Sequence, residues 1–149
     1  MTLTQKRLRE FGRVYHHDGI ATADLDSAIR FFKRIDYRIG KKFYDRHNNI
    51  NVIFCTHEVE PWFEIVSPGD AEGLFTNLLE GFDLPVRYNC YFCCNLMQAI
   101  GKMQEAKLDV VCVSQPQPTA LFEGSKAGFY RLPDIGLIEI VETTLAATD

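Results

Sequence analysis

The sequence predicts an α+β protein in which one unit, strand–helix–strand–strand–strand, is used twice. Three observations carry this. Two apolar, β-branched runs, Trp62-Phe63-Glu64-Ile65-Val66-Ser67 and Leu137-Ile138-Glu139-Ile140-Val141-Glu142, each hold an acidic residue where a sheet would bury it. Two helical stretches share an apolar stripe, Leu25-Ala28-Ile29 matching Leu96-Ala99-Ile100 at an offset of 71 residues. The order of strand and helix signals then repeats, and the larger offset of 75 between Glu64 and Glu139 places a short loop insertion in the second copy.

Taken in order, residues 1–13 are basic and mildly amphipathic and predict a short helical arm. Residues 14–149 then form one domain of two modules, about 14–68 and about 85–143. Tyr15 to Ala21 reads as a strand, and Asp24 as the N-cap of a helix whose stripe is Leu25, Ala28, Ile29 and Phe32. Strands follow at Tyr37 to Tyr44, Asn51 to Cys55 and Trp62 to Val66, with a turn at Asn48-Asn49. Ser67-Pro68-Gly69-Asp70 breaks the pattern before a short connecting helix marked by Leu74, Leu78 and Leu79. The second copy runs from a strand at Val86 to Cys93 to a helix capped by Asn95, with Leu96, Ala99, Ile100 and Met103 on one face. Strands are expected at Leu108 to Val113, Lys126 to Leu132 and Leu137 to Val141, with a loop at Gln115-Pro116-Gln117-Pro118.

The chain has 149 residues, a net charge of −4, 46% hydrophobic and 24% charged residues, an ordinary balance for a globular protein. This balance argues against broad nucleic-acid binding. No apolar run approaches a bilayer span, and the start, Met1 to Arg7, lacks an apolar signal core, so the cytoplasm is expected. Of the five cysteines, Cys90-x-x-Cys93 has no matching second pair for zinc, and the two point to opposite faces of a strand. Buried, reduced thiols are the simpler reading.

Period-two geometry groups His17, Gly19 and Ala21 on one face, and Tyr88, Cys90 and Phe92 on one face in the second copy. Glu64 and Glu139 fall at corresponding places on the closing strands. A converging quartet of His17, Glu64, Tyr88 and Glu139 follows if each module curls into a half-barrel. One imidazole and two carboxylates suit a divalent transition ion with open positions: zinc, manganese, nickel, iron or cobalt. Taken singly, His17 would read as a core histidine and either glutamate as a hydrogen-bonded strand residue; the repeat is what groups them.

At these residues the chain resembles the vicinal oxygen chelate superfamily, the glyoxalase, bleomycin-resistance and extradiol-dioxygenase group. It looks most like the methylmalonyl-CoA epimerase and glyoxalase I-like branch. The resemblance rests on His16-His17-Asp18-Gly19-Ile20-Ala21 with Asp24-Leu25, on Phe63-Glu64-Ile65-Val66-Ser67-Pro68, and on Cys90-Tyr91. The closing stretch adds Leu121-Phe122-Glu123-Gly124, Gly128-Phe129-Tyr130 and Gly136-Leu137-Ile138-Glu139-Ile140-Val141-Glu142. It implies two tandem βαβββ modules forming a cup-shaped, partly open mixed barrel. It also implies metal ligands at His17, Glu64 and Glu139, and often a homodimer. Two positions depart from it. Tyr88 stands where epimerase-like members usually place a histidine ligand, and an ordinary phenol is a poorer ligand at neutral pH. Val52 stands where the epimerases carry a proton-abstracting glutamate, which argues against standard methylmalonyl-CoA epimerisation. Substitute proton carriers are His16, His47, His57, Tyr44 and Cys90, of which Cys90 shares a face with Tyr88.

Two functions are expected on this basis. One is a glyoxalase-like lyase or isomerase acting on a small carbonyl or thioester compound through a metal-stabilised enolate, with Tyr88 and Cys90 as catalytic candidates. The other is a metal-free protein that binds or sequesters a small molecule. Trp62, Phe54, Phe92, Phe122 and Phe129 are the candidate lining for either ligand, although some of them must be plain core.

Overall fold

A computed structural model of the chain describes residues 2, 3, 6, 7, 10, 12–69, 73–80, 84–119 and 124–143. Its elements are β1 (Arg13–Ala21), α1 (Leu25–Arg34), β2 (Arg38–Ile39), β3 (Phe43–Asp45), β4 (Ile50–Thr56), β5 (Phe63–Pro68), α2 (Leu74–Leu79), β6 (Val86–Cys93), α3 (Leu96–Glu105), β7 (Val111–Pro118), β8 (Lys126–Leu132) and β9 (Gly136–Glu142). The expected α+β order therefore occurs twice. In the arm, the Lys6 amide donates to the Thr2 carbonyl at 3.0 Å, a helical turn. No helix among the described residues is long and apolar enough to cross a membrane.

The chain divides into two compact units, one of His17–Tyr88 and one that joins the residues up to His16 to those from Asn89 onward. In the His17–Tyr88 unit the strand order is β2-β4-β5-β1, with β3 also paired to β4. β4 and β5 run antiparallel, whereas β1 and β5 are parallel with Gly19 opposite Glu64. α1 covers one face: Phe32 packs with Ile20, Tyr37, Ile53, Cys55 and Ile65. In the other unit the order β9-β8-β7 is antiparallel, and α3 covers a core of Cys93, Leu96, Tyr130, Leu132, Ile138 and Ile140. Ile65 and Ile140, like Cys55 and Tyr130, occupy equivalent places in these two cores. Burying one such large side chain contributes about 1.5–3 kcal/mol.

The helices α1 and α3 start and stop by the same devices. Asp24 accepts from the Ser27 amide at 3.1 Å and Asn95 from the Gln98 amide at 2.9 Å, each meeting an amide that the helix leaves unbonded. At the other ends Asp36 (φ 68°) and Lys107 (φ 61°) take the left-handed conformation. Tyr37 then donates to the Phe32 carbonyl and Leu108 to the Met103 carbonyl, both at 3.0 Å.

Three expectations are corrected. The single strand at Tyr37 to Tyr44 is broken in two, because Gly40 presses against β4: its amide donates to the Phe54 carbonyl at 2.8 Å. A Cβ there would meet that same oxygen. The strand expected from Leu108 starts only at Val111, since Leu108 is used to close α3. Gln115-Pro116-Gln117-Pro118 belongs to β7 and is no loop. β7 is the last strand in its order and carries two register shifts, the setting in which proline's missing donor is tolerated.

Candidate functional site

Each unit contributes one buried carboxylate, from the same place in its module. In β5, Phe63 and Ile65 turn toward α1, so Glu64 and Val66 turn to the opposite face. Glu64 is 2% exposed and stands directly across from Phe54 of β4. Its other neighbour, on β1, is Gly19. The missing side chain leaves room there for the Tyr88 ring; a Cβ at residue 19 would come within 2.0 Å of that ring. Seated over Gly19, the Tyr88 hydroxyl donates to Glu64 Oε1 at 2.5 Å. Phe75 of α2, fully buried, lies tilted beside the phenol at a centroid distance of 6.3 Å.

The other oxygen of Glu64 is placed differently. Oε2 is buried, takes no hydrogen bond and lies 3.4 Å from His17 Nε2. That separation is longer than a formed N–H···O bond. His17 is fully buried, and the Phe54 ring meets its imidazole edge-on at 4.9 Å. A carboxylate oxygen taken out of water without a hydrogen bond is costly unless a cation meets it. An imidazole nitrogen facing a carboxylate oxygen is also a donor pair that first-row divalent ions accept. His17 and Glu64 therefore fit the expected ion.

In the second unit Glu139 of β9 is 6% exposed and lies across from Phe129 of β8, itself buried. The Cys90 sulfur and a Glu139 carboxylate oxygen lie within 4.8 Å of each other. Cys90 is fully buried and packs with Val14, Phe92 and Val141. Thiolate and carboxylate could both serve a transition ion, so Cys90 joins Glu139 as a donor of this unit.

The structure thus groups His17, Glu64, Tyr88 and Phe54 in one unit, and Cys90, Glu139 and Phe129 in the other. Phe92 stacks flat on His16 at 4.2 Å. Trp62 is 43% exposed and lines a surface groove of about 460 Å³ with Arg38, His57 and Glu58. Phe122 lies outside the described residues. Among the substitute proton carriers, Tyr44 donates to Asn49 Oδ1 and His57 Nδ1 accepts from the amides of Val59 and Glu60. His47 lies in the β3–β4 turn, where its amide donates to Asp45. Val52 faces the same way as Glu64, since it pairs with Val66. Sequence reasoning missed Phe75 and the seat at Gly19. A glycine inside a strand was the available signal for the second, since it marks a close approach.

No family model matches the sequence, and no curated protein matches it. Solved structures do. A hypothetical protein from Bacillus halodurans superposes with a TM-score of 0.71 at 16% identity, covering 89% of this chain and 95% of its own. Methylmalonyl-CoA epimerase from Mycobacterium tuberculosis gives 0.69 at 18% identity, covering 91% of each chain. A variant of the Streptomyces coelicolor methylmalonyl-CoA epimerase, in complex with 2-nitronate-propionyl-CoA, gives 0.66 at 15%, covering 87% of this chain and 96% of its own. The chain therefore shares the fold of these methylmalonyl-CoA epimerase structures.

Proposed function

We propose that this chain is a glyoxalase-like lyase or isomerase whose His17, Glu64 and Glu139 hold a divalent transition ion. The carrying observation is the buried Glu64 Oε2, which takes no hydrogen bond and is turned toward the His17 imidazole. Held there, such an ion would serve as a Lewis acid for adjacent oxygens of a small carbonyl or thioester compound. The protein's own part is positional. Phe54 and Phe129 flank the two carboxylates and keep water from them. Cys90, in reach of Glu139, is the candidate to carry a proton beside it. The epimerase neighbours, one of them holding a CoA thioester analogue, support a thioester among the substrates.

One observation favours a second reading, a metal-free binding protein. The face that carries Glu64 presents apolar Val52 where a catalytic carboxylate would serve, and no titrating group replaces it on that face of β4.

Elemental analysis separates the two. Protein never exposed to chelator should carry close to one equivalent of metal, which is lost in both His17→Ala and Glu139→Ala. A parent that takes up no manganese, iron, nickel, cobalt or zinc on reconstitution removes the Lewis-acid mechanism and leaves the binding protein.

A further inference from the structure

We infer that Tyr88 is a positioning residue: its phenol occupies one oxygen of Glu64, so that the carboxylate offers the ion only the other. This rests on the metal-dependent reading above and specifies how Glu64 serves it. The phenol is held on three sides. Gly19 gives it a seat that any side chain would fill, with a Cβ 2.0 Å from Cζ. Phe75 packs against the ring. Glu64 Oε1 accepts its hydrogen bond at 2.5 Å.

That bond has two consequences. The phenol is engaged as the donor to Glu64 Oε1, which makes it a partner of the ligand and not itself a ligand. The carboxylate is also fixed in rotation, with Oε1 on Tyr88 and Oε2 turned to the His17 nitrogen 3.4 Å away. A carboxylate held in this way binds an ion through one oxygen. Partners that orient a ligand in this fashion typically change metal affinity 10–100-fold when removed.

The test compares the full-length parent with Tyr88→Phe, which keeps the ring, and Gly19→Ala, which keeps the phenol but displaces it. Zinc affinity is measured by calorimetry, and ultraviolet difference spectra report whether zinc drives a tyrosine to tyrosinate. Folding of each metal-free variant is checked by circular dichroism. The expected result is zinc affinity about 10–100-fold weaker in folded Tyr88→Phe, with a loss in the same direction in Gly19→Ala. No tyrosinate band is expected in the parent. A tyrosinate band in the parent that disappears in Tyr88→Phe would make Tyr88 a ligand and overturn the inference. Equal zinc affinity in parent and Tyr88→Phe overturns it too, while leaving the metal site intact. A parent that binds no zinc or other divalent ion removes both this inference and the reading beneath it.

Discussion

Phe54 stands directly across from Glu64 on neighbouring strands, and the same ring meets the His17 imidazole edge-on at 4.9 Å. Seventy-five residues further along, Phe129 stands across from Glu139 in the same register. Each module therefore sets an aromatic ring across from its buried carboxylate. Removing the rings should differ in cost. Phe129 is 2% exposed, so Phe129→Ala should lose about 3–5 kcal/mol in urea unfolding. Phe54 is only half-buried, so Phe54→Ala should lose less, about 2 kcal/mol. Its larger effect should be on metal affinity, through a loosened His17. A Phe54→Ala penalty equal to that of Phe129→Ala would show that the ring is ordinary core.

The two helix caps differ in charge and so in their response to acid. Hydrogen bonds from the Ser27 hydroxyl and amide hold the Asp24 carboxyl below its ordinary value of 3.8. A depressed carboxyl stabilises the fold above the unfolded value, and that stabilisation is lost as pH falls through the folded one. The Tm difference between parent and Asp24→Ala should thus be present at neutral pH and shrink as pH falls below 3.8. Asn95 does not titrate, and the Leu96 amide is held separately by Glu142 at 2.8 Å. Asn95→Ala should cost about 1 kcal/mol. That cost should persist in acid. Parallel acid profiles for the two variants would refute the assignment.

Much of this was legible from pattern alone. Asp24 and Asn95 announced helix starts because a short polar side chain before an apolar stripe has one common use. Glu64 and Glu139 stood out because each interrupts a run that a sheet buries, and both are buried. What escaped was set by neighbours distant in sequence. Nothing local says that Gly40 will press on the Phe54 carbonyl and split a strand. Pro116 and Pro118 read as a loop because their place at the end of the strand order depends on pairing with β8. Tyr88 donates to Glu64, but its seat depends on Gly19 and Phe75, from β1 and α2. Cys90 reads as a packing thiol until Glu139 is set beside it.

The thiols should divide sharply in reactivity. Cys94 and Cys112 are exposed, whereas Cys55, Cys90 and Cys93 are buried. Iodoacetamide applied to the native protein should label only the exposed pair, as read by peptide mass spectrometry, with the other three labelled after denaturation. Native labelling of Cys55 or Cys93 would mean that these cores open far more often than their packing implies.

Alkaline pH should destabilise both cores, for a reason that can be assigned to three groups. Burial pushes the Cys55 thiol from 9.0 up to about 11. Burial, with the nearby negative charge of Glu142, pushes Cys93 from 9.0 to about 12. Burial chiefly pushes the Tyr130 phenol from 10.0 to about 12. For each group the unfolded chain releases a proton that the folded chain keeps. Stability from these groups is therefore complete below pH 9 and is lost as pH rises through the folded values, between 9 and about 12. Each group contributes a slope of about 1.4 kcal/mol per pH unit while it titrates only in the unfolded chain. Unfolding followed by circular dichroism across this range should show the decline, made shallower by Cys55→Ala and by Cys93→Ala. A stability profile that stays flat to pH 11, or one unaltered by both substitutions, would mean that these thiols ionise as readily folded as unfolded.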